Sequence, residues 1–598
     1  MRHLLLALLC VLAATPARAL TPPRVAVPDG LLRAGERIEL TVTDVPEAVN
    51  PYNPALVRLD AEIVSSDGKT FVVPGFAQAR CEERQINGET RYRPTGGFDW
   101  RVRGAALSAG EYRGKVVVTI DNDSRVESAT FRFRVEPAAA PLHGFVHVAP
   151  GNPAAFAYED GTSFIPVGEN VCWQTPREKI FGWIAKLGDH GANWVRVWTS
   201  SGPTFGLEGE RAYDYDEDAA RALDTVVETC ERTGVHATFC LNHVRNFGPP
   251  PRPPRAINYS FNFPYDMRNG GPATDMREMF TLPAARAQQE AMLRYVVARW
   301  GYSRAVFAWE LWNEMDSIYG NEKYRADIVR WVGDMCGYLH AHDPYHHLAT
   351  TSLGSSGVWD ELWRLPSVDF VNYHDYGGRE KYRDRSQVEV YAPVMASLGK
   401  FGKPALFSEV GLVNEDWNAN DHVSPKKAAT AVQDVDNRAF HEALWLPFFT
   451  GSAGGGLHWW WEEFDYYNVY PLYRAQADFF ADVPLARAPM PTAEARASKP
   501  DLQAFARGND WGTVAWVWDR RASWQSLVLA AHSPEKVTGA TVVLPTARGS
   551  FQVQCVDTRN GQELSHATLR AGAAGLTVPL PEFFIDVAVK AVRISKVP

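Results

Sequence analysis

The chain has 598 residues, of which 45% are hydrophobic and 22% charged, and its formal net charge is -9 at pH 7. This length predicts two to four domains, and the composition is typical of a globular protein. The negative charge argues against nucleic acid or an anionic membrane surface as a partner. The 20 tryptophans exceed what a core needs and suit sugar binding, because indole faces pack against apolar ring faces.

Residues 1–19 are predicted to be a secretory signal peptide. Arg2 and His3 give a positive start, and the apolar run from Leu4 to Ala14 is too short to span a bilayer as a helix. Ala17-Arg18-Ala19 matches the small-residue pattern of a cleavage site. The mature protein is therefore expected to be secreted or periplasmic. Later segments are not apolar enough over sufficient length to predict membrane insertion.

Residues 20–140 are predicted to form an N-terminal β-sandwich. Segments such as 37–42 and 115–120 alternate apolar and polar residues and are separated by turn-forming residues. Short strands at this spacing are typical of antiparallel sandwiches. The segment 137–141, Pro-Ala-Ala-Ala-Pro, reads as a linker to the next domain.

Residues 145–490 show a different pattern, in which apolar strands alternate with amphipathic helices. The predicted strands are Phe164–Gly168, Asn193–Trp198, His236–Leu241, Val306–Leu311, His347–Thr351, Val368–Tyr373, Pro404–Ser408 and Gly456–Trp461. The clearest helices are Asp218–Thr233, Ala284–Arg299, Tyr324–His340 and Arg438–Thr450. Eight such alternations predict a closed parallel (β/α)8 TIM barrel.

Residues 495–598 return to a β pattern, as in 512–518 and 540–544, and predict a small C-terminal sandwich. The fold class is therefore α/β, with a (β/α)8 TIM barrel flanked by N-terminal and C-terminal β-sandwich domains. Neither flanking domain shows a cluster of titratable residues comparable to that of the barrel. We expect both flanking domains to support the barrel rather than to carry a site.

The loop after the third barrel strand, about 243–281, is longer than a simple connection requires, and such loops are usually functional. It contains a proline-rich stretch and the aromatic residues Tyr259, Phe261, Phe263 and Tyr265. We predict that this loop walls the substrate cleft and that its aromatic side chains contact sugar. The alternative is that these side chains only pin the loop to the barrel.

Two predicted barrel strands end on a glutamate. Glu314 follows Trp312 and Asn313 at the end of the fourth strand, and Glu409 follows the seventh. The carboxyl ends of barrel strands meet at the catalytic face, and two carboxylates facing each other can cleave a glycosidic bond. A single glutamate at a strand end is more often a solvated turn residue, but the pair is not explained in that way. Glu310 is a competing acid, and Asn313 marks Glu314 instead.

This pattern resembles glycoside hydrolase clan A, with family 5 as the closest match and family 39 and the family 2-like barrels sharing the frame. The resemblance covers about residues 145–490, and the N-terminal domain looks like the Ig-like modules that precede many bacterial barrels of this kind. Enzymes of the clan retain the anomeric configuration. The resemblance therefore implies that Glu409 is the nucleophile and Glu314 the acid/base, and that the negative charge of Glu409 raises the pKa of Glu314.

The resemblance also implies a set of substrate-binding positions: Arg196, Asn242, His243, Asn313, His374, Tyr376, Trp459 and Trp461. Asn313 would donate to the sugar 2-hydroxyl, and Arg196 and Tyr376 would stabilise the charge of Glu409. Arg196 and His374 each have a structural alternative, as an ion-pair residue and as a core histidine. Alternation places Trp459 and Trp461 on one face of the predicted strand, and Trp461 is the preferred sugar platform.

The expected function is a retaining glycoside hydrolase acting on a β-linked poly- or oligosaccharide of the glucan or mannan type. The alternatives are an exo-acting glycosidase, such as a galactosidase or arabinofuranosidase, and an inactive carbohydrate-binding barrel. No cofactor or metal is expected, because the acidic run 213–218 lacks the glycine and distal glutamate of a calcium loop. The sequence leaves open whether Glu169 and Asn170 touch substrate, whether Cys230 and Cys240 pair, and the oligomeric state.

Overall fold

A computed structural model describes residues 21–200, 202–243, 263–318, 321–354, 358–377, 385–412, 438–459, 461–523, 525–530 and 532–594. The predicted signal peptide, Tyr259, Phe261 and Trp460 lie outside these ranges. No helix within the described ranges is long and apolar enough to cross a membrane.

Residues 24–136 form a nine-stranded sheet in the order β1-β3-β6-β5-β4-β7-β9-β2, with β8 paired to β7. The strands are β1 (Arg24–Ala26), β2 (Leu32–Arg33), β3 (Arg37–Thr43), β4 (Val57–Val64), β5 (Thr70–Ile86), β6 (Glu89–Ala105), β7 (Gly110–Ile120), β8 (Ser124–Glu127) and β9 (Phe131–Glu136). Alternation decides the faces: in β3, Ile38, Leu40 and Val42 are buried, whereas Arg37 and Thr43 are exposed. These residues join one hydrophobic core with side chains from β4, β6, β7 and β9.

The hairpin of β5 and β6 is much longer than its neighbours. Each strand has 17 residues, or about 55 Å at the usual rise of a strand. Asn87 and Gly88 join them with φ values of 53° and 82°, as a tight two-residue turn requires. Near one end, the Ala105 N–H donates to the Tyr345 hydroxyl (2.7 Å). At the other, the Thr90 N–H donates to Glu178 (2.7 Å), so the hairpin runs along the side of the next domain.

The central domain is a barrel of parallel strands. The strands are β13 (Gly168–Asn170), β14 (Trp194–Trp198), β15 (His236–Cys240), β16 (Val306–Glu310), β17 (Leu348–Thr350) with β18 (Ser352–Leu353), β19 (Val371–Gly377) and β20 (Ala405–Leu412). Each pairs in parallel with the next from β13 to β17 and from β18 to β20. His458 closes the ring through parallel bridges to Glu169 and Val410. This arrangement confirms the predicted (β/α)8 class.

Helices surround the strands. They are α1 (Glu178–Asp189), α2 (Gly202–Phe205), α3 (Glu217–Thr233), α4 (Met276–Thr281), α5 (Pro283–Trp300), α6 (Asn321–His342), α7 (Asp360–Trp363), α8 (Gln387–Leu398), α9 (Arg438–Thr450), α10 (Trp461–Tyr467) and α11 (Tyr470–Phe480). The Asp216 side chain caps α3 by accepting from the Ala219 N–H (2.9 Å), so the acidic run 213–218 leads into a helix start, as expected. Short 3₁₀ turns cover Met267–Asn269, Met315–Ser317, Gly399–Phe401 and Arg520–Ala522, and a π-helix covers Gln525–Leu529.

The lower end of the barrel is closed by a small antiparallel sheet of β10 (Val146–Ala149), β11 (Asn152–Tyr158) and β12 (Ser163–Phe164). Phe156 and Phe164 from this sheet pack against Phe307 and Phe370 inside the barrel. The charged and polar residues that remain inside the barrel therefore lie at the opposite end, where the strands terminate.

The first and last predicted barrel strands need correction. Phe164 belongs to β12, and the barrel strand starts only at Gly168, where a Cβ atom would lie 1.5 Å from the Trp194 carbonyl oxygen. The predicted eighth strand is reduced to bridges at His458, and Trp461 already begins α10. The chain is therefore helical and not extended at Trp461.

Residues 492–593 contain a six-stranded sheet ordered β21-β23-β24-β31-β27-β28, a three-stranded sheet β22-β26-β29 and the pair β25-β30. The strands are β21 (Thr492–Glu494), β22 (Arg496–Ala497), β23 (Leu502–Asn509), β24 (Gly512–Asp519), β25 (Lys536–Val537), β26 (Thr541–Leu544), β27 (Gly549–Val556), β28 (Glu563–Ala571), β29 (Leu576–Pro579), β30 (Phe583–Phe584) and β31 (Asp586–Arg593). Cys230 and Cys240 are both buried free thiols, which settles the open pairing.

Candidate active site

Glu314 and Glu409 lie together at the upper end of the barrel. Glu409 is in β20 and its side chain is 4% exposed, whereas the Glu314 side chain is 24% exposed. One oxygen of each carboxylate and a ring nitrogen of His374 all lie within 4.8 Å of one another. The strands therefore bring together the two acids that the sequence pairs.

Glu314 lies four residues beyond the end of β16, in a left-handed backbone conformation with φ 52° and ψ 68°. A glutamate rarely adopts this conformation, and such strain persists where surrounding contacts enforce it. Here the Glu314 N–H donates to the Ser352 hydroxyl (2.9 Å), and the Ser317 hydroxyl donates to Oε2 of Glu314 (3.2 Å). The backbone thus turns this carboxylate toward Glu409 and solvent.

Both oxygens of Glu409 accept strong hydrogen bonds. The Arg196 Nη1 donates to Oε1 (2.6 Å) and the Tyr376 hydroxyl donates to Oε2 (2.6 Å). Burial raises the pKa of Glu409 above its usual range, although His374, Arg196 and Tyr376 act in the opposite direction. Burial and the neighbouring carboxylate raise the pKa of Tyr376 well above its usual range, so its hydroxyl keeps the proton that it donates.

Arg196 has a second acidic partner that the sequence reasoning missed. Its Nε and Nη2 donate to both oxygens of Glu310 (2.5 and 2.9 Å), and all three side chains of the Glu310–Arg196–Glu409 chain are almost fully buried. Glu310 is therefore a fixed counter-ion and not a competing catalytic acid. The sequence contains one indication of this pairing. Side chains of alternate barrel strands fill the same interior layer, and Arg196 and Glu310 lie on the second and fourth strands.

Asn313 lies between this ion pair and the cleft. Its Oδ1 accepts from the Arg196 Nη2 (2.7 Å), and its backbone N–H donates to the Asn242 carbonyl (2.7 Å). This fixes the orientation of the amide and leaves its NH2 group as the donor available to a ligand. Asn242 itself is buried and donates to the Leu311 carbonyl (3.2 Å), so it holds two strand ends together.

His374 links the two carboxylates. Its Nδ1 lies 3.1 Å from Oε1 of Glu314 and 3.4 Å from Oε2 of Glu409, and its Nε2 lies 2.9 Å from the Ser408 hydroxyl. Burial pushes the pKa of Glu314 upward, but the hydrogen bond and charge of His374, with smaller contributions from Ser317 and Arg196, together outweigh it, and the pKa falls below the usual range. This differs from the raised pKa that we expected, because the prediction counted only the negative charge of Glu409 and not the imidazole.

An aromatic wall, formed by Trp173, Trp198, Trp459 and Trp461, borders the carboxylates. Trp173 packs edge-on against the other three at ring-centroid distances of 4.8–5.3 Å. Trp461 is 4% exposed and its indole N–H donates to the Trp173 carbonyl (3.0 Å), whereas Trp459 is only half-buried. Trp459 is therefore the more accessible of the two, which favours it over Trp461 as the sugar platform.

His243 completes this side of the cleft. Its ring stacks on Trp198 with centroids 5.2 Å apart, and its Nδ1 lies 2.8 Å from the Ser200 hydroxyl. It is thus adjacent to the aromatic wall and not in contact with either carboxylate among the described contacts.

Comparison with known proteins agrees with this geometry. Residues 157–446 match a family model described as Cellulase (glycosyl hydrolase family 5). Residues 157–446 are thus similar to the family 5 type of glycoside hydrolase. The chain is 25% identical over 307 residues to a protein named probable mannan endo-1,4-beta-mannosidase F from Aspergillus oryzae (strain ATCC 42149 / RIB 40), covering 43% of this chain and 61% of that one. It is 24% identical over 260 residues to mannan endo-1,4-beta-mannosidase 8 of Oryza sativa subsp. japonica, covering 39% and 66%.

The chain thus spans less than two thirds of the length of these two relatives. A crystal structure of a candidate glycoside hydrolase from Bacteroides vulgatus ATCC 8482 aligns with 94% of this chain and 99% of that chain, at a TM-score of 0.56 and 16% identity. At this identity the likeness shows a common fold, and it extends beyond the family 5 barrel into both flanking β regions.

Asn170 and Glu169 lie near the site, and their side chains make contacts within the barrel. The Asn170 Nδ2 donates to the carbonyls of Ser408 (2.8 Å) and His458 (3.0 Å), which joins the first strand to the closing segment. Glu169 points outward to the helix layer, where the Tyr473 hydroxyl donates to it (2.5 Å). Both side chains are therefore occupied by the fold, and neither reaches the cleft.

Between β15 and α5, residues 241–243 and 263–282 are described. Phe263 and Tyr265 are at most 1% exposed, and the Tyr265 hydroxyl donates to Glu208 (2.9 Å). For these two aromatic residues the structure favours the second alternative, in which they pin the loop to the barrel.

The three groups Glu314, His374 and Glu409 are close enough together to hold a metal ion. Arg196 and Tyr376 already donate to both oxygens of Glu409, and a guanidinium beside a cation would repel it. The donor set therefore fits proton and covalent chemistry better than metal binding.

Proposed function

We propose that this chain is a retaining glycoside hydrolase that cleaves a β-1,4-linked mannan-type polysaccharide by double displacement. The observation that carries the reaction type is the approach of one oxygen of Glu314 to one of Glu409 within 4.8 Å. Retaining pairs lie about 5–5.5 Å apart and inverting pairs about 6.5–9.5 Å. The mannan-type substrate is taken from the names of the relatives, which are mannan endo-1,4-beta-mannosidases.

In the first step Glu409 attacks the anomeric carbon. A bond forms between that carbon and a carboxylate oxygen, while the glycosidic bond breaks and Glu314 gives its proton to the leaving oxygen. Arg196 and Tyr376 hold the two oxygens of Glu409 and stabilise the ionised form that attacks. Because the Arg196 charge is shared with Glu310, Glu409 is less strongly stabilised than by a dedicated cation, and it remains reactive.

The proton on Glu314 must be present when substrate is bound. Sugar that fills the cleft displaces water from the exposed 24% of this side chain, and loss of water raises the pKa of a carboxylic acid. Once Glu409 is esterified its negative charge is gone, so the pKa of Glu314 falls again. Glu314 can then accept a proton from the water that hydrolyses the intermediate.

The remaining groups orient the sugar. The free NH2 of Asn313 is placed to donate to a hydroxyl next to the anomeric carbon, a contact that strengthens as positive charge develops in the ring. Trp459 offers an apolar face to the sugar. An inactive carbohydrate-binding barrel is disfavoured, because sugar binding alone does not require two adjacent carboxylates that are joined by His374 and held by Arg196.

The test combines a substrate panel with product stereochemistry. Purified protein is incubated with β-mannan, β-glucan and xylan and with aryl β-glycosides, and the anomer first formed is followed by NMR. We expect cleavage of mannan with net retention. An inverted product would contradict double displacement, and cleavage of glucan without mannan would contradict the substrate.

Two variants assign the roles. Glu409→Ala should abolish turnover, because the missing group makes the bond. Glu314→Ala should retain activity on aryl glycosides with good leaving groups and be rescued by azide as a β-glycosyl azide, because azide needs no base. Exposed Glu322 on α6 provides the control substitution, and Glu322→Ala should behave as wild type.

A further inference from the structure

We propose that the groove between the tip of the β5–β6 hairpin and the rim of the barrel is an outer glycan-binding subsite of the same cleft. The proposal rests on the proposed function and extends it to chains longer than the sugars held at the carboxylates. It gives the N-terminal domain a role in substrate binding, beyond the support that the sequence predicted.

The hairpin tip is fixed at the catalytic end of the barrel. The Arg177 N–H donates to Glu89 (3.2 Å) and its guanidinium donates to both oxygens of Asp218 (2.7 and 3.0 Å). The Tyr92 N–H donates to the same carboxylate (2.7 Å). Arg177 and Glu89 are 2% and 6% exposed, so this anchor is a packed interface. Arg177 precedes α1 and Asp218 begins α3, and barrel helices begin at the end where strands terminate.

The groove begins two residues along the chain from the aromatic wall. Thr175 and Pro176 line the groove, and Trp173, two residues earlier, packs against Trp459 with ring centroids 5.3 Å apart. Two residues of chain span at most about 7 Å. A glycan leaving the carboxylates over Trp459 and Trp173 therefore meets the groove next.

The lining of the groove suits a neutral sugar. Its volume is ≈ 570 Å³, within the range of about 300–1,000 Å³ that is typical of ligand sites. Ile86, 49% exposed, Tyr92 and Pro176 offer apolar surface, and Arg84 and Asn87 offer hydrogen-bonding groups.

Most of the charges around the groove are paired. Its lining has three guanidinium groups, those of Arg84, Arg91 and Arg93, and two carboxylates, those of Glu89 and Asp218. Arg91 pairs with both carboxylates, and Arg84 pairs with Glu82 outside the lining. An anionic ligand would therefore meet carboxylates as well as guanidinium groups. Apolar faces beside paired polar groups match a sugar, which has C–H faces and neutral hydroxyls.

The test is Ile86→Ser in the full chain, with Arg84→Ala as a second variant. Val72→Ser is the matched control, because Val72 is a 52%-exposed β-branched residue on the same strand, about 46 Å away at the rise of a strand. We measure kcat/KM on an aryl β-mannoside and on long mannan chains, and retardation in native gels cast with galactomannan. For both groove variants we expect unchanged kcat/KM on the aryl glycoside, a loss of about fivefold to tenfold on mannan, and weaker retardation.

Groove variants that match Val72→Ser on mannan and in the gels overturn the subsite, while cleavage of mannan by the wild type leaves the proposed function standing. A wild type that neither cleaves nor binds any polysaccharide of the panel contradicts the proposed function and the subsite together. Equal losses on the aryl glycoside and on mannan also overturn the subsite, because they indicate damage at the carboxylates.

Discussion

Tyr376 and Arg196 divide the two oxygens of Glu409 between them, and the consequences of losing each partner differ. Arg196 also neutralises Glu310, so its removal would leave a buried charge unpaired and endanger the fold. Tyr376 donates to Glu409 through an uncharged hydroxyl. It is therefore the position at which the protonation of the proposed nucleophile can be changed without breaking an ion pair.

For Tyr376→Phe we expect kcat/KM to fall about tenfold to a hundredfold, the usual effect of losing one hydrogen bond to a charged group. Burial already raises the pKa of Glu409, and loss of a bond to the ionised form raises it further. The nucleophile must be ionised, so the acid limb of the pH–rate profile should move to higher pH. An acid limb that stays in place would show that another group controls it.

Trp459 and Trp461 should separate binding from stability. Trp459→Ala removes the accessible indole face, and we expect a higher KM with little change in melting temperature. Trp461→Ala empties a buried position and should lower the stability by about 3–5 kcal/mol. The Michaelis constant and the thermal melt of both variants are measured. A higher KM for Trp461→Ala with a lower melting temperature for Trp459→Ala would identify Trp461 as the sugar platform instead.

The residues that sequence predicted best are those whose chemistry is tied to a strand end. Glu314, Glu409, Arg196, Asn313, His374 and Tyr376 all meet at one end of the barrel. Glu310 was missed because its inward direction depends on the register of the barrel interior. The burial of Trp461 was not predicted, because alternation holds only while the chain stays extended and Trp461 belongs to α10.

At the scale of single elements, β13 is buried on both faces, and this explains Glu169. Asn170 faces the barrel interior, so Glu169 must face α11, where Tyr473 donates to its Oε2 and its Oε1 is without a hydrogen-bond partner in the described structure. Burial raises the pKa of Glu169 well above its usual value of 4.5. Burial therefore favours the protonated form of this side chain in the folded protein.

A raised pKa in the folded state means that the native protein binds this proton more tightly than the unfolded chain. Its contribution to stability is complete below pH 4.5 and is lost as the pH rises toward the folded-state pKa. Glu169→Gln cannot ionise. Glu169→Gln therefore keeps the stability that wild type loses as the pH rises. The melting temperature of the variant minus that of wild type should increase with pH, by about 2–4 °C for each kcal/mol that wild type loses.

Thermal melts from pH 4 to pH 9 test this, with Glu494→Gln as the control, because the Glu494 side chain is 76% exposed. Subtracting wild type removes the other titrating groups. A difference between Glu169→Gln and wild type that does not change with pH would contradict a protonated Glu169.

Sequence patterns identified strands and helices better than their ends or their partners. Helix α9 ends at Thr450, as its apolar pattern predicts, and its described part begins at Arg438. The closing segment around His458 was predicted as a strand, but only its bridges to Glu169 and Val410 are strand-like. The length of the β5–β6 hairpin was also not predicted, because alternation indicates a strand and not whether its partners end earlier.

At the scale of the whole molecule, one buried ionic network joins the N-terminal sheet to the barrel. Arg299 donates to Asp224 and to Glu217 through Nη2 (2.7 and 3.0 Å). Arg103 from β6 reaches the same Asp224 (2.8 Å) and also Glu39 (2.5 Å). Separating the two domains would remove one of the two cations that Asp224 shares, so we expect them to unfold together.

Arg103→Ala tests this coupling. In this variant Asp224 keeps Arg299 and the Trp300 indole N–H (2.8 Å) as partners. The free energy of unfolding should therefore fall by about 2–3 kcal/mol, which is less than for a buried charge left without a partner.

The effect of Arg103→Ala should depend on pH. Burial favours a higher pKa for Asp224, but Arg299 and Arg103 outweigh it and hold the pKa far below its usual 3.8. A depressed pKa stabilises the fold above pH 3.8 and loses this effect as the pH falls. The difference in free energy of unfolding between wild type and Arg103→Ala should therefore become smaller below about pH 4.

Arg134→Ala is the control, because the Arg134 side chain is 69% exposed. Calorimetry of this variant should show the same single unfolding transition as wild type. Two separate transitions in the wild type would show that the network does not couple the domains.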